Sequence, residues 1–222
     1  MRQSPGLPVI TVADANALYG EGQVRWMVTS GRWQRPARGV VVRHSGPLSP
    51  NEHLWCELLV QSSRAVVAGV TAASLDGLTR FDTPTVFLLV PHGSSIRRRP
   101  GVVVHSSTAL GDADLHPARL QRRTRPARSI IDAGAWAATD LKAQALIASA
   151  VQQGLVTPTA LSAAVGRLAK VHRRPLILET IRDVSGGALS EYEILFNRLC
   201  RRSNLPTPTR QWSRRDSAGR WR

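Results

Sequence analysis

Between residues 25 and 43 the chain carries Arg25, Arg32, Arg35, Arg38 and Arg43, interleaved with Trp26, Thr29 and Trp33. Guanidinium forks at this density, with a hydroxyl and two indoles among them, suit the recognition of phosphates and of the bases beside them. A second set is acidic. Glu191 and Glu193 stand near the start of an expected helix and Asp216 lies beyond it. Converging carboxylates can hold a metal that activates water, but the positive end of the helix dipole by itself suffices to explain two acids at a helix start. No general base, nucleophile and orienting residue come together anywhere in the chain. Gly-x-Gly-x-x-Gly, Gly-x-x-x-x-Gly-Lys-Ser/Thr, Gly-x-Ser-x-Gly, His-x-x-x-His and Cys-x-x-Cys patterns are all missing from the sequence. No catalytic residue, metal ligand or cofactor is therefore expected. Asp132, four residues after Arg128, predicts an ion pair within one helix. Cys56 and Cys200 lie far apart in apolar surroundings and read as buried, reduced thiols.

The charge of the whole chain points the same way as its arginine cluster. Thirty Lys and Arg against fifteen acids give +15 over 222 residues, and only Lys142 and Lys170 are lysines. Positive charge on that scale draws a polyanion whatever its local source. Residues 201–222 add seven arginines against one acid. No window approaches the roughly 18 apolar residues of a membrane helix, and Met1–Gly6 has no apolar stretch of signal-peptide type. The expected setting is the cytoplasm, with no membrane partner.

The elements that would position the arginines can be read from caps and breaks. Thr11 caps a short helix through Tyr19, Gly20 breaks it, and a second helix over Glu21–Ser30 ends at Gly31. On that second helix Val24, Met27 and Val28 share one face, leaving Gly22, Arg25, Trp26 and Thr29 on the other. The stretch from Arg32 to His44 then reads as strand, Pro-Ala-Arg-Gly turn, strand. Two helices followed by a basic hairpin are what a winged helix requires, the helix reading a groove and the wing gripping phosphates. Arg25 and Thr29 are the expected base or phosphate contacts, and Arg32, Arg35, Arg38 and Arg43 the expected phosphate ligands; the alternative is a merely solvated face. Trp26 either packs under the wing or faces DNA, while Trp33 is expected to anchor the hairpin to the helices.

Beyond residue 48 the pattern is mixed α/β. A helix is expected over Asn51–Ser63, a buried strand over Thr85–Val90 and a second strand over Gly101–Ser106, with Arg97–Gly101 as a charged, hairpin-like loop. Helices follow at Pro126–Ala138, Leu141–Gln153, Pro158–Leu168 and Pro175–Val184. Ser185-Gly186-Gly187 reads as a hinge, followed by a helix over Glu191–Arg202, a strand over Arg210–Arg214 and a turn at Asp216–Gly219. The expected divisions are a winged helix-turn-helix over 1–48, a mixed α/β domain over 49–184, and a tail over 185–222.

Three segments carry a family resemblance. Gly31-Arg32-Trp33 with Arg38-Gly39-Val40-Val41 resembles the wing of the AbiEi-type antitoxin family. Ala68–Leu78 resembles the helix after that wing, and Arg125–Asp132 is similar to an element of the family's middle domain. The tail, through Ser190-Glu191-Tyr192-Glu193, Leu205-Pro206-Thr207-Pro208, Gln211 and Asp216–Arg220, resembles the opening of DUF559, a Vsr-like relative of restriction endonucleases. That second resemblance implies a metal-binding acid at Glu193, and the family's later acids have no counterpart before Arg222.

The resulting expectation is an α+β protein that is not an enzyme. Its function would be that of a DNA-binding, antitoxin-like transcriptional autorepressor of an abortive-infection toxin-antitoxin pair, with double-stranded DNA and a nucleotidyltransferase-like toxin as partners. Two other readings stand beside it. One is a catalytically incomplete fragment of a Vsr-like endonuclease, and the other is a basic protein without a toxin.

Overall fold

The computed structural model describes residues 8–117, 121–186, 196 and 199–206. The chain is a mixed α/β protein and divides into two compact units, residues 1–72 with 82–125 and residues 73–81 with 126–222. The sequence placed divisions after residues 48 and 184, so the compact units follow a different cut. Most of the expected Glu191–Arg202 helix, the Arg210–Arg214 strand and the Asp216–Gly219 turn lie outside the described residues, as do Glu191, Glu193 and Asp216.

The first unit opens with strand β1 (Val9–Thr11), helices α1 (Val12–Tyr19) and α2 (Glu21–Thr29), and strands β2 (Gln34–Ala37) and β3 (Val40–Val42). Thr11 caps α1 as expected, its hydroxyl accepting the Asp14 N–H at 3.0 Å. The strands form an antiparallel sheet in the order β1-β3-β2. β3 is central and wholly buried, which is why three successive valines stand there. β1 was not legible, because three residues carry too little periodicity to show a strand.

Helix α3 (Pro50–Gln61) packs on that sheet. β4 (Val66–Val67), β5 (Val86–Pro91) and β6 (Val102–Ser107) form a second sheet in that order. Leu54, Trp55 and Leu58 of α3 share one core with Val9, Val40 and Val42 of the first sheet and with Val67, Leu88 and Val90 of the second. The residues around β2 and β3 are thus cored together with the chain that follows them. The expected hairpin-like loop at Arg97–Gly101 does contain a tight turn, with Arg99 bridged antiparallel to Val102, but the strands it joins are not a hairpin's. β5 and β6 run parallel, from Val86 opposite Val102 to Pro91 opposite Ser107, so residues 92–101 return the chain along the sheet instead of reversing a strand. Helix α3 holds this return. The Gln61 amide donates to the Arg97 carbonyl at 2.7 Å and accepts the Arg97 N–H at 2.9 Å, and Arg99 Nε donates to Glu57 at 2.7 Å. Within α3, burial pushes the Cys56 thiol up to about 11, so it stays protonated and inert near neutral pH.

The start of α3 carries a pH-dependent contact. Ser49 and Glu52 form a reciprocal capping box, and the second Glu52 oxygen accepts from or shares a proton with His44 Nε2 at 2.8 Å. The Ser49 backbone N–H first, then His44, hold the Glu52 carboxyl down at about 2 from its ordinary 4.5. A depressed carboxylate stabilises the fold above its unfolded value and loses that contribution as pH falls toward its folded one. Glu52→Gln is therefore expected to destabilise the protein near neutral pH and by clearly less at pH 3, the deficit vanishing only as pH falls through about 2. Denaturant melts at both pH values check this, and an equal deficit at each would refute it.

Helix α4 (Gly69–Leu75) contains the point where the two units divide. In the second unit α5 (Pro126–Trp136), α6 (Asp140–Gln152), α7 (Pro158–Arg167) and α8 (Arg174–Ser185) fall within two residues of the expected bounds. Thr139 and Thr157 cap α6 and α7, and Pro158 sits at the first turn where its missing N–H costs nothing. α5 packs on α6 and α7, and α8 packs on the same pair. Arg201 ties residues 199–206 to α8, donating to Asp183 at 2.6 and 3.0 Å and to Glu179 at 2.7 Å. Cys200, beside it, is buried and free.

Candidate nucleic-acid interface

The helix pair is built on a small core of its own. Ile10, Ala15, Val24, Trp33 and Val41 are buried together, with Val12, Tyr19, Met27 and Val28 packed around them. The apolar face expected of α2 is therefore the one turned inward. Gly22, Arg25, Trp26 and Thr29, on the opposite face, are all exposed.

Two glycines let the chain pass from α2 into the hairpin. Gly31 has φ 73° and Gly39 has φ 82°, a left-handed region in which a side chain is strained. The first turns the chain off the end of α2, so that the Trp33 N–H reaches the Met27 carbonyl at 2.9 Å. The second closes a two-residue turn with Arg38, between the paired Ala37 and Val40.

Tyr19 joins the helices to the sheet. Its ring meets Trp33 edge-on, with centroids 5.3 Å apart and planes at 78°. Its hydroxyl accepts from Arg43 Nη1 at 2.7 Å. Trp33, only 9% exposed, thus anchors the hairpin as its position suggested. Gln34 Nε2 donates to the Gly46 carbonyl at 2.6 Å and fixes the start of β2.

The candidate contacts separate into three kinds. Arg32, Arg35 and Arg38 are exposed, and among the described residues none of the three makes a hydrogen bond or ion pair. Arg25 is exposed and pairs loosely with Glu21 at 3.6 Å, a surface contact of small energetic weight. Arg43 is half-buried and engaged with Tyr19, so the structure gives it a role in holding the fold. Trp26 is 50% exposed and does not lie in the core under the hairpin. The Arg32 guanidinium carbon sits 4.8 Å from its ring centroid. The Thr29 hydroxyl donates to the Trp26 carbonyl at 3.2 Å, leaving its lone pairs on the exposed side. Residues 8–45 hold five arginines against Asp14 and Glu21, so this patch is positive at neutral pH.

Among the described residues no group of three or more His, Cys, Asp or Glu side chains is arranged to hold a metal, and no helix is long and apolar enough to cross a membrane. No protein-family model matches the chain, and no curated protein matches it at a significant level.

Proposed function

We propose that this chain binds double-stranded DNA through the outer face of α2 and the β2–β3 hairpin, and that it acts as an antitoxin-like transcriptional autorepressor. The observation that supports this most directly is the set of exposed guanidinium groups of Arg32, Arg35 and Arg38 beside the polar face of α2, whose N–H groups have no acceptor among the described residues. Phosphates supply the charge and the acceptors they lack. Tyr19 and Trp33 fix the hairpin relative to the helices, so helix and hairpin can meet a groove and its flanking backbone as one piece. A nucleotidyltransferase-like toxin as partner rests on the AbiEi-type resemblance alone.

Phosphate contacts from three or four of Arg25, Arg32, Arg35 and Arg38 give an expected log-log salt slope of roughly −3 to −4, at about −0.9 per phosphate. Arg35→Ala with Arg38→Ala is expected to weaken binding to every duplex alike and to bring the slope down by nearly 2. A mobility-shift titration over a salt series measures both. Unchanged affinity and slope in the double variant would remove the hairpin from the interface.

A further inference from the structure

We propose that Arg32 is the guanine-reading residue of this interface and that Trp26 is its positioning residue. The inference rests on the double-stranded DNA reading above and adds what the site would discriminate.

The five arginines between residues 25 and 43 are not equivalent. Arg43 is engaged with Tyr19, and Arg25 leans toward Glu21. Arg35 and Arg38 are exposed with nothing to orient them. Arg32 alone is oriented and still has its hydrogen-bonding edges unengaged among the described residues, because its contact is with the face of the Trp26 ring at 4.8 Å. A guanidinium over an aromatic ring spends none of its N–H groups on a hydrogen-bond acceptor. A long side chain that would otherwise sample many rotamers is thereby biased toward one orientation before any ligand arrives.

Trp26 has no other evident task. The core of the helix pair is closed by Trp33, Val24, Met27 and Val28 without it, yet half of this large apolar side chain stays in solvent. Gly31, at φ 73°, turns the chain between the two residues, so that a side chain six positions later can lie back over the indole. The pair sits at the end of α2, on the face that also carries Arg25 and Thr29. In the major groove guanine presents O6 and N7, two adjacent acceptors that match two N–H groups of a fixed guanidinium fork. A phosphate would also fit such a fork, but its loss would be felt equally on every sequence.

The test separates these uses. Duplexes are enriched from a randomised pool with the wild-type protein, and affinities are measured for an enriched duplex and for versions with each of its guanines changed to adenine. The enriched motif is expected to contain guanine, and one guanine-to-adenine change is expected to cost the wild type about tenfold to a hundredfold. Arg32→Lys, which keeps the charge but lacks the planar fork that lies over the indole and matches O6 and N7 in a fixed geometry, is expected to lower that ratio sharply. Trp26→Ala should lower it as well, while Trp26→Phe, which restores an aromatic face, should recover part of it. The Arg35→Ala, Arg38→Ala double variant should weaken both duplexes together and leave a ratio well above that of Arg32→Lys. An enriched motif without guanine, or an Arg32→Lys ratio equal to the wild type's, overturns the inference while the DNA-binding reading stands. Failure of the wild type to bind any duplex overturns both.

Discussion

Trp33→Ala is expected to cost about 3–5 kcal/mol of stability, the usual range for emptying a buried tryptophan site. Against a total of roughly 5–15 kcal/mol for a native protein, that is a severe loss, corresponding to a drop in melting temperature on the order of 10 °C. The reason is the number of elements that converge on one indole. Trp33 fills the core between α1, α2 and β3, meets Tyr19 edge-on, and is tied through its N–H to the end of α2. Without the ring, Tyr19 loses the surface that holds its hydroxyl toward Arg43, and the hairpin loses its fixed relation to the helices. Trp33→Phe keeps an aromatic edge and is expected to lose distinctly less. Hydrogen exchange on α1, α2 and β3 should show the change locally, beyond what a global melt reports. Retention of wild-type protection in Trp33→Ala would mean that the helices and hairpin are held by contacts other than this ring.

That expectation also shows which parts of the candidate interface were open to sequence reasoning. Local signals worked: Thr11 as a cap, Gly20 and Gly31 as breaks, and the spacing of Val24, Met27 and Val28 gave α1 and α2 nearly to the residue. Helical periodicity gave α5 to α8 to within two residues at each end. Signals that depend on distant residues did not appear. Arg43 reads as one more basic residue until Tyr19, 24 positions earlier, is found accepting its hydrogen bond. The direction of β6 was invisible because periodicity marks a strand without saying which way it runs. One clue did exist. Val86–Val90 is a continuous apolar run, the pattern of a strand covered on both sides and flanked by neighbours, and β5 is indeed the central strand of its sheet. β4, at two residues, is shorter than any pattern can mark.

The second large effect concerns the ion pair inside α5, which spacing alone predicted. Arg128 Nε donates to both carboxylate oxygens of Asp132, at 3.0 and 2.9 Å, and the two side chains are 3% and 8% exposed. An exposed pair at this spacing contributes a few tenths of a kcal/mol. A buried one behaves differently, because each charge has lost its hydration and depends on its partner. Asp132→Ala leaves a guanidinium in a helix whose neighbours Ile130 and Ile131 are fully buried, and the expected cost is about 3–5 kcal/mol. The loss measures a buried charge deprived of this carboxylate, not the net worth of the pair. Replacing both by apolar residues of similar volume, Arg128→Met with Asp132→Leu, is expected to recover part of the deficit, since such exchanges are often neutral or stabilising, while the further contacts of both side chains are lost with them. Urea melts of the wild type, both single variants and the double variant close a thermodynamic cycle, with hydrogen exchange of the α5 amides assigning the effect to the second unit. The expected coupling is strongly non-additive. A double variant no more stable than Asp132→Ala would refute the expected recovery and show that the further contacts of these side chains outweigh the pair.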